Sequence, residues 1–195
     1  MPFDVFDKFH LEYDSWFDRE KEKFTREVLC FKSIIDAEKP WLEIGVGTGR
    51  FASALGIEYG IDPSEKMLEL AKMRGIKVFK AFGENLPFED STFGAVFIIV
   101  TLCFVDNPEK MLFEAHRVLK DKGKLYLGII PLDTALGKFY MHKKFHGHKF
   151  YSRARFYSFG EIIKLLNDAG FTVTKMKSAK LDIPDFYCFE AVKDC

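Results

Sequence analysis

The chain has 195 residues, 48% of them hydrophobic, and a formal net charge of zero. That length supports one domain spanning residues 1–195, and the charge balance argues against the broad basic surface with which a nucleic-acid binder neutralises phosphates. No apolar run approaches the roughly 20 residues of a membrane span, and the start, Met1-Pro2-Phe3-Asp4, has no signal-peptide pattern, so a cytoplasmic protein without a membrane span is expected.

Residues 1–36 are expected to be helical. Phe6, Phe9, Tyr13, Trp16 and Phe17 recur at three- and four-residue spacing, which places them on one helix face. A second helix is predicted over residues 19–35, with Pro40 just past its end. The pattern then alternates. Residues 41–44 form a short apolar strand running into glycines, 48–55 a short helix, and 57–61 a second strand followed by Asp62. Ser64 caps a helix whose inner face is Met67, Leu68 and Ala71. A third strand is expected at 76–80 and a fourth, apolar almost throughout, at 93–100. Asp106 or Asn107 caps the next helix, Pro108 suits its first turn, and Lys122-Gly123 ends it before a fifth strand at 124–130.

Beyond Pro131 the segment to residue 157 is basic, aromatic and rich in His, with no strand pattern. Ser158 and Glu161 have capping-box spacing for a helix that stops at Ala169-Gly170. Strands at 171–179 and 186–192 close the chain. Strands that alternate with helices and are apolar on both faces indicate an α/β fold. The expectation is a Rossmann-like, seven-stranded, mostly parallel sheet with helices on both faces and an antiparallel C-terminal edge hairpin.

Cys30, Cys103, Cys188 and Cys195 form no CxxC pair, so neither a disulfide framework nor a zinc ribbon is expected, and the thiols are read as buried or idle. The chain has no Gln and only Asn85, Asn107 and Asn167, beside many Lys and Glu, a composition that suggests a thermophilic protein. The 22 Phe point to an aromatic-rich core or pocket.

The strongest local signal is Leu42-Glu43-Ile44-Gly45-Val46-Gly47-Thr48-Gly49-Arg50, a strand entering a glycine loop that opens a helix. Glycines let a ligand approach the backbone and allow positive φ, and helix N–H groups then face the bound molecule. Arg50 takes the place of the third glycine of a dinucleotide fingerprint, and no P-loop Lys-Ser/Thr follows, which disfavours pyrophosphate and triphosphate ligands. Asp62, at the end of the second strand, lies beside the loop in a parallel α/β sheet, where a carboxylate can accept both hydroxyls of a ribose. Asp62 suits a helix cap or turn as well.

In these residues the chain resembles the class I S-adenosylmethionine-dependent methyltransferases, in particular the small-molecule branch that includes quinone-biosynthesis methyltransferases. The likeness is close over residues 40–130 and looser over 158–192. Its motifs are Glu43 to Gly49, Gly60-Ile61-Asp62-Pro63-Ser64 with Met67-Leu68, Glu84-Asn85-Leu86-Pro87-Phe88 with Ser91-Thr92-Phe93, and Phe113 to Lys120 with Gly123. The resemblance implies S-adenosylmethionine as cofactor. Gly45, Val46, Gly47 and Gly49 would form the loop against its methionine part, with Glu43 orienting that loop. Asp62 would hold the ribose, and Pro63, Met67 and Leu86 would wall the adenine. The Gly83 amide would meet the base, and the carbonyls near Val100 and Thr101 would face the amino group. Phe82 stands where the family often has Asp, so Phe82 would stack on the base or Glu84 would compensate. Gly94 replaces another common Asp, and Cys103-Phe104 replace a frequent pair of histidines.

Transfer from a sulfonium needs the nucleophile and the methyl carbon aligned at about 3–3.5 Å. A general base is optional, and none is nominated. Tyr13, Trp16 and Cys103 are the substrate-side candidates. The N-terminal helices (1–36) would form a lid and residues 131–157 a substrate-side insertion. His142, His146 and His148, beside Lys143, Lys144, Lys149, Arg153 and Arg155, are not read as a metal site. This basic segment serves either to attract an anionic substrate or as a solvated face. The expected partner is a small-molecule methyl acceptor. The alternatives are a non-catalytic S-adenosylmethionine-binding module, a methyltransferase acting on RNA or protein, and a nicotinamide-dependent oxidoreductase, which Arg50 disfavours.

Overall fold

The computed structural model describes residues 4–179 and 185–194; residues 1–3 of the expected lid and Cys195 lie outside them. Seven strands form one sheet: β1 (Trp41–Ile44), β2 (Tyr59–Asp62), β3 (Lys77–Lys80), β4 (Phe93–Ile99), β5 (Leu119–Ile129), β6 (Phe171–Ser178) and β7 (Tyr187–Lys193). Their order is β3-β2-β1-β4-β5-β7-β6. Strands β1 to β5 pair in parallel, and β7 runs antiparallel between β5 and β6. The expected C-terminal hairpin is therefore present, with its second strand inside and its first at the edge. From β1 the chain moves outward to β2 and β3, then crosses back to β4 on the other side of β1, so the crevice above β1 and β4 is the switch point at which open α/β sheets bind ligands.

Helices cover both faces. Val96 and Ile98 of β4 turn toward α6 (Pro108–Val118) and α8 (Phe159–Asp168), into a core with Leu112, Ala115 and Ile162. Ala95, Phe97 and Ile99 turn the other way, toward α3 (Lys21–Lys32), α4 (Arg50–Leu55) and α5 (Glu65–Met73), where Phe31, Phe51 and Leu68 meet them. This two-sided burial is why β4 carries no polar alternation. Local signals start the helices: Ser64 Oγ accepts from the Met67 amide, Asn107 Oδ1 from the Lys110 amide, and Ser158 and Glu161 form the reciprocal capping box.

Three expectations need correction, and the segment 131–157, which has no strand pattern, holds a helix. The N-terminal region is three helices rather than two, because α1 (Asp4–Lys8) and α2 (His10–Arg19) part at Phe9 and α3 begins after a second break at Glu20. Helix α6 stops at Val118 and β5 begins at once, since Leu119 pairs with Phe93; Lys122 (φ +58°) and Gly123 lie in a bulge before pairing resumes at Lys124. Residues 131–157 contain a helix, α7 (Ala135–Phe145), started by Thr134, whose hydroxyl accepts from the Gly137 amide. Cys30 of α3 and Cys188 of β7 are joined as a disulfide; Cys103 is a free thiol.

Candidate functional site

The site begins where β1 ends. The amides of Gly45 and Val46 both donate to the Ile61 carbonyl at 2.9 Å, strapping the glycine loop to the end of β2. Gly45 has φ +74°, and a Cβ there would lie 2.3 Å from Thr101 Cγ2, so conformation and space both demand glycine. At Gly47 a Cβ would point toward the Tyr13 ring, 3.7 Å away, so Tyr13 of α2 overhangs the loop. Beside it stands Asp62, whose Oδ2 accepts from the Gly47 amide (3.0 Å) and whose Oδ1 accepts from the Ser64 amide (2.9 Å). Desolvation outweighs these two bonds and raises its carboxyl to about 6.

A groove runs from this cradle. Gly45, Gly47, Asp62, Pro63, Met67, Val100 and Thr101 line its first part, closed by Phe6, Tyr13, Phe104 and Val105. It continues past Pro63 and Thr101 to Phe82, Gly83, Glu84 and Asp106. Val100 has φ +52°, an outlier for a β-branched residue. Its amide donates to the Gly128 carbonyl.

Four predicted residues lie behind the groove. Val46 fills the space that a Cβ at Gly60 would take, and Gly49 caps α4 (φ +80°) against the Ala71 backbone. Leu86 is buried in the core, its amide donating to Glu114 Oε2 at 2.7 Å. Glu43 is 2% exposed, and its Oε2 has no hydrogen-bond partner. Burial holds its carboxyl well above the usual range, the Ala52 amide pulls back, and the Asp62 charge adds to the rise.

A second cavity, of about 260 Å³, shares Phe6, Tyr13, Val100 and Phe104 with the groove. Helices α2, α3 and α7 enclose it, and Trp16 lies in its wall. Its wall also holds Glu27, which along the chain is indistinguishable from the other charges of the amphipathic helix α3. Cys103 lies in a smaller adjoining cavity with Arg155 and Tyr157. Burial pushes its thiol up to about 12, so it is not a thiolate nucleophile at neutral pH.

Arg50 ties this roof down. Its guanidinium donates to Asp14 (Nε–Oδ1 3.0 Å, Nη2–Oδ2 2.7 Å) and to Asp18 (Nη1–Oδ1 2.9 Å, Nη2–Oδ2 2.8 Å), and Arg74 adds a bond to Asp14 Oδ2 at 2.9 Å. Burial opposes the Asp14 charge, but the two arginines bring its carboxyl down to about 2. The four-residue spacing of Asp14 and Asp18 was the available signal.

In the basic segment the His142 and His146 rings stack 4.0 Å apart, and no group of three metal-ligating side chains exists among the described residues. Lys144 donates to the Ala154 carbonyl, Lys149 pairs with Glu12, and Arg155 stacks over Tyr157.

Residues 42–127 match the family model described as a methyltransferase domain. An uncharacterized protein of Methanocaldococcus jannaschii is 47% identical over 167 residues, 86% of this chain and 80% of that one. A crystal structure from Thermotoga maritima, described as a SAM-dependent methyltransferase and possible histamine N-methyltransferase, is 35% identical and covers 100% of both chains with a TM-score of 0.92. A demethylmenaquinone methyltransferase of Thermotoga maritima is a more distant relative, 28% identical over 160 residues, 68% of this chain and 70% of that one.

Proposed function

This chain belongs to the S-adenosylmethionine-dependent methyltransferase family, and from that premise we propose that it methylates a small molecule held in the cavity beside the glycine groove. The family's cosubstrate supplies an electrophilic sulfonium methyl group when bound. The groove's chemistry suits such a ligand: a desolvated carboxylate at Asp62, a glycine backbone at Gly47 with only the Tyr13 ring over it among the described residues, and apolar walls toward Phe82.

In this reading Asp62 accepts the ribose hydroxyls, and its two backbone bonds fix the carboxylate in advance. The Gly45–Gly47 backbone lies against the amino-acid part, with Glu43 bracing the loop from behind. Pro63, Met67, Phe82 and the Gly83 amide receive the base, with Glu84 alongside. Val100 and Thr101 present carbonyls near the amino group. Leu86 supports the base side from the core. Helices α1 to α3 act as the lid and residues 131–157 as the substrate-side cover. Together they exclude water and align the acceptor, which is the main requirement of an in-line displacement.

The carrying observation is that the groove and the roofed cavity share Phe6, Tyr13, Val100 and Phe104. An acceptor in the cavity then lies one side chain from the cofactor groove. A cavity of about 260 Å³ fits a small molecule better than a folded RNA or protein segment. The Thermotoga maritima structure's description as a possible histamine N-methyltransferase accords with an acceptor of that size. Calorimetric titration with S-adenosylhomocysteine, followed by a product assay with small amines, thiols and quinols, tests the proposal. Binding together with turnover of at least one class is expected. Binding without turnover on any class would leave a non-catalytic module.

A further inference from the structure

Glu27 is 3% exposed, yet it lines the second cavity. Desolvation raises its carboxyl to about 7, the Lys23 ammonium one turn earlier pulls back, and no hydrogen bond contributes among the described residues. Lys23 itself is engaged elsewhere: its Nζ donates to the Tyr140 hydroxyl at 3.3 Å and lies 5.6 Å from the Trp16 ring centre. An acid largely withdrawn from bulk water, with no protein donor on it among the described residues, costs stability. That cost is relieved when a ligand brings a donor.

The surrounding walls narrow the ligand. Tyr13, Trp16, Phe17, Phe51, Phe150 and Tyr151 contribute aromatic rings to the same cavity. Ring faces attract cations, and more strongly when desolvated. Of the basic groups of the wall, burial and the neighbouring Lys143 and Lys149 charges lower the His148 imidazole, whose Nδ1 has no hydrogen-bond partner among the described residues, and so favour its neutral form. Lys149 is paired with Glu12, Lys143 lies over the Phe139 ring, and Arg19 donates to Ser15. A buried acid inside an aromatic cage selects a small organic cation with N–H donors over an anion.

We propose that the cavity takes a small amine as methyl acceptor and that Glu27 receives its ammonium group. This rests on the methyltransferase reading and names its substrate class. An amine arrives protonated and has no lone pair to donate. Glu27 accepts one ammonium proton, which frees the nitrogen lone pair. The C–N bond then forms as the methyl–sulfur bond breaks, with that electron pair left on the thioether sulfur. The product leaves as the N-methylated ammonium ion, and the proton on Glu27 passes to solvent. A carboxyl that titrates near neutrality is matched to taking and releasing that proton.

The test uses the full chain saturated with S-adenosylhomocysteine and titrated with 2-phenylethylamine, 2-phenylethanol and phenylacetate, which share a shape and differ in charge. The amine is expected to bind roughly 10- to 100-fold more tightly than the alcohol, the range of a charged hydrogen bond. Glu27→Gln should abolish that preference and Glu27→Asp should keep part of it, with S-adenosylhomocysteine affinity unchanged in both. That unchanged affinity certifies a folded groove and separates this proposal from the cofactor-binding premise it rests on, which fails if S-adenosylhomocysteine itself does not bind. Preference for phenylacetate, equal binding of all three probes, no binding of any, or an amine preference that survives Glu27→Gln would overturn the proposal.

Discussion

Asp62 is under two opposing demands. Two backbone amides hold its oxygens in place, while desolvation raises its carboxyl to about 6. Because the acid is raised, its proton is favoured in the ligand-free groove, and the ionised form that best accepts two ribose hydroxyls exists fully only above that pH. S-adenosylhomocysteine affinity should therefore fall as pH drops from about 7 to 5, as read by calorimetry. Asp62→Asn should bind roughly 10- to 100-fold more weakly at pH 7.5 and lose the pH dependence. A wild-type affinity flat across that range would argue against a ribose contact. Asp62 was legible in the sequence because it follows a strand and stands in register with a glycine loop. Glu27 was not, since its distinction lies in what encloses it: rings from α2, α4 and the 131–157 segment, brought together only by folding. The positive φ of Val100 was equally hidden, as no propensity places a β-branched residue there.

The lid helix α2 owes its position to Arg50. The residue occupies the slot where a dinucleotide-binding loop would carry glycine, and its fork grips Asp14 and Asp18 one turn apart. Arg50→Ala should release α2 without disturbing the sheet. Hydrogen exchange is expected to rise over residues 4–19 and stay unchanged in β4, and S-adenosylmethionine KM should rise about tenfold as Tyr13 loses its seat, a shift of about 1.4 kcal/mol. Unchanged exchange in α2 would show that packing of Phe17 alone holds the lid. Among elements, those with local punctuation were readable: Ser64, Asn107 and Ser158 each start a helix by a bond formed within three residues. The start of β5 was not, because Leu119 becomes strand by pairing with Phe93 in a distant segment. Helix α7 is not legible in the sequence because it has no clean apolar stripe. Its aromatic and charged residues are distributed around the axis, some facing the cavity and Phe145 facing solvent.

At the scale of the molecule, the N-terminal helices must be held to the C-terminal strands for the cavity to stay roofed. Two devices do this at one place. Asp36, just after α3, pairs with Lys124 of β5 and Lys175 of β6, and the buried Glu190 of β7 receives Lys175 (3.0 Å) and the Tyr126 hydroxyl (3.1 Å). The Cys30–Cys188 disulfide joins α3 to β7 across 158 positions. Spacing along the chain says nothing about a pair so far apart, which is why both thiols were expected to be free. A link of that span removes much freedom from the unfolded chain, and such bonds typically contribute about 2–4 kcal/mol. Disulfides and charge networks both occur in hyperthermophilic proteins, as does depletion of Gln, which this sequence lacks. We propose that the fold is heat-stable, with a Tm above the roughly 45–65 °C of mesophilic domains. The double variant Cys30→Ala/Cys188→Ala should lower it by about 5–15 °C, given about 2–4 °C per kcal/mol at this size. Calorimetry of the two proteins in oxidising buffer decides the matter. A wild-type Tm within the mesophilic range would dismiss the thermophilic reading, and equal Tm values would show that the ion pairs and Phe31 packing hold α3 to the sheet unaided.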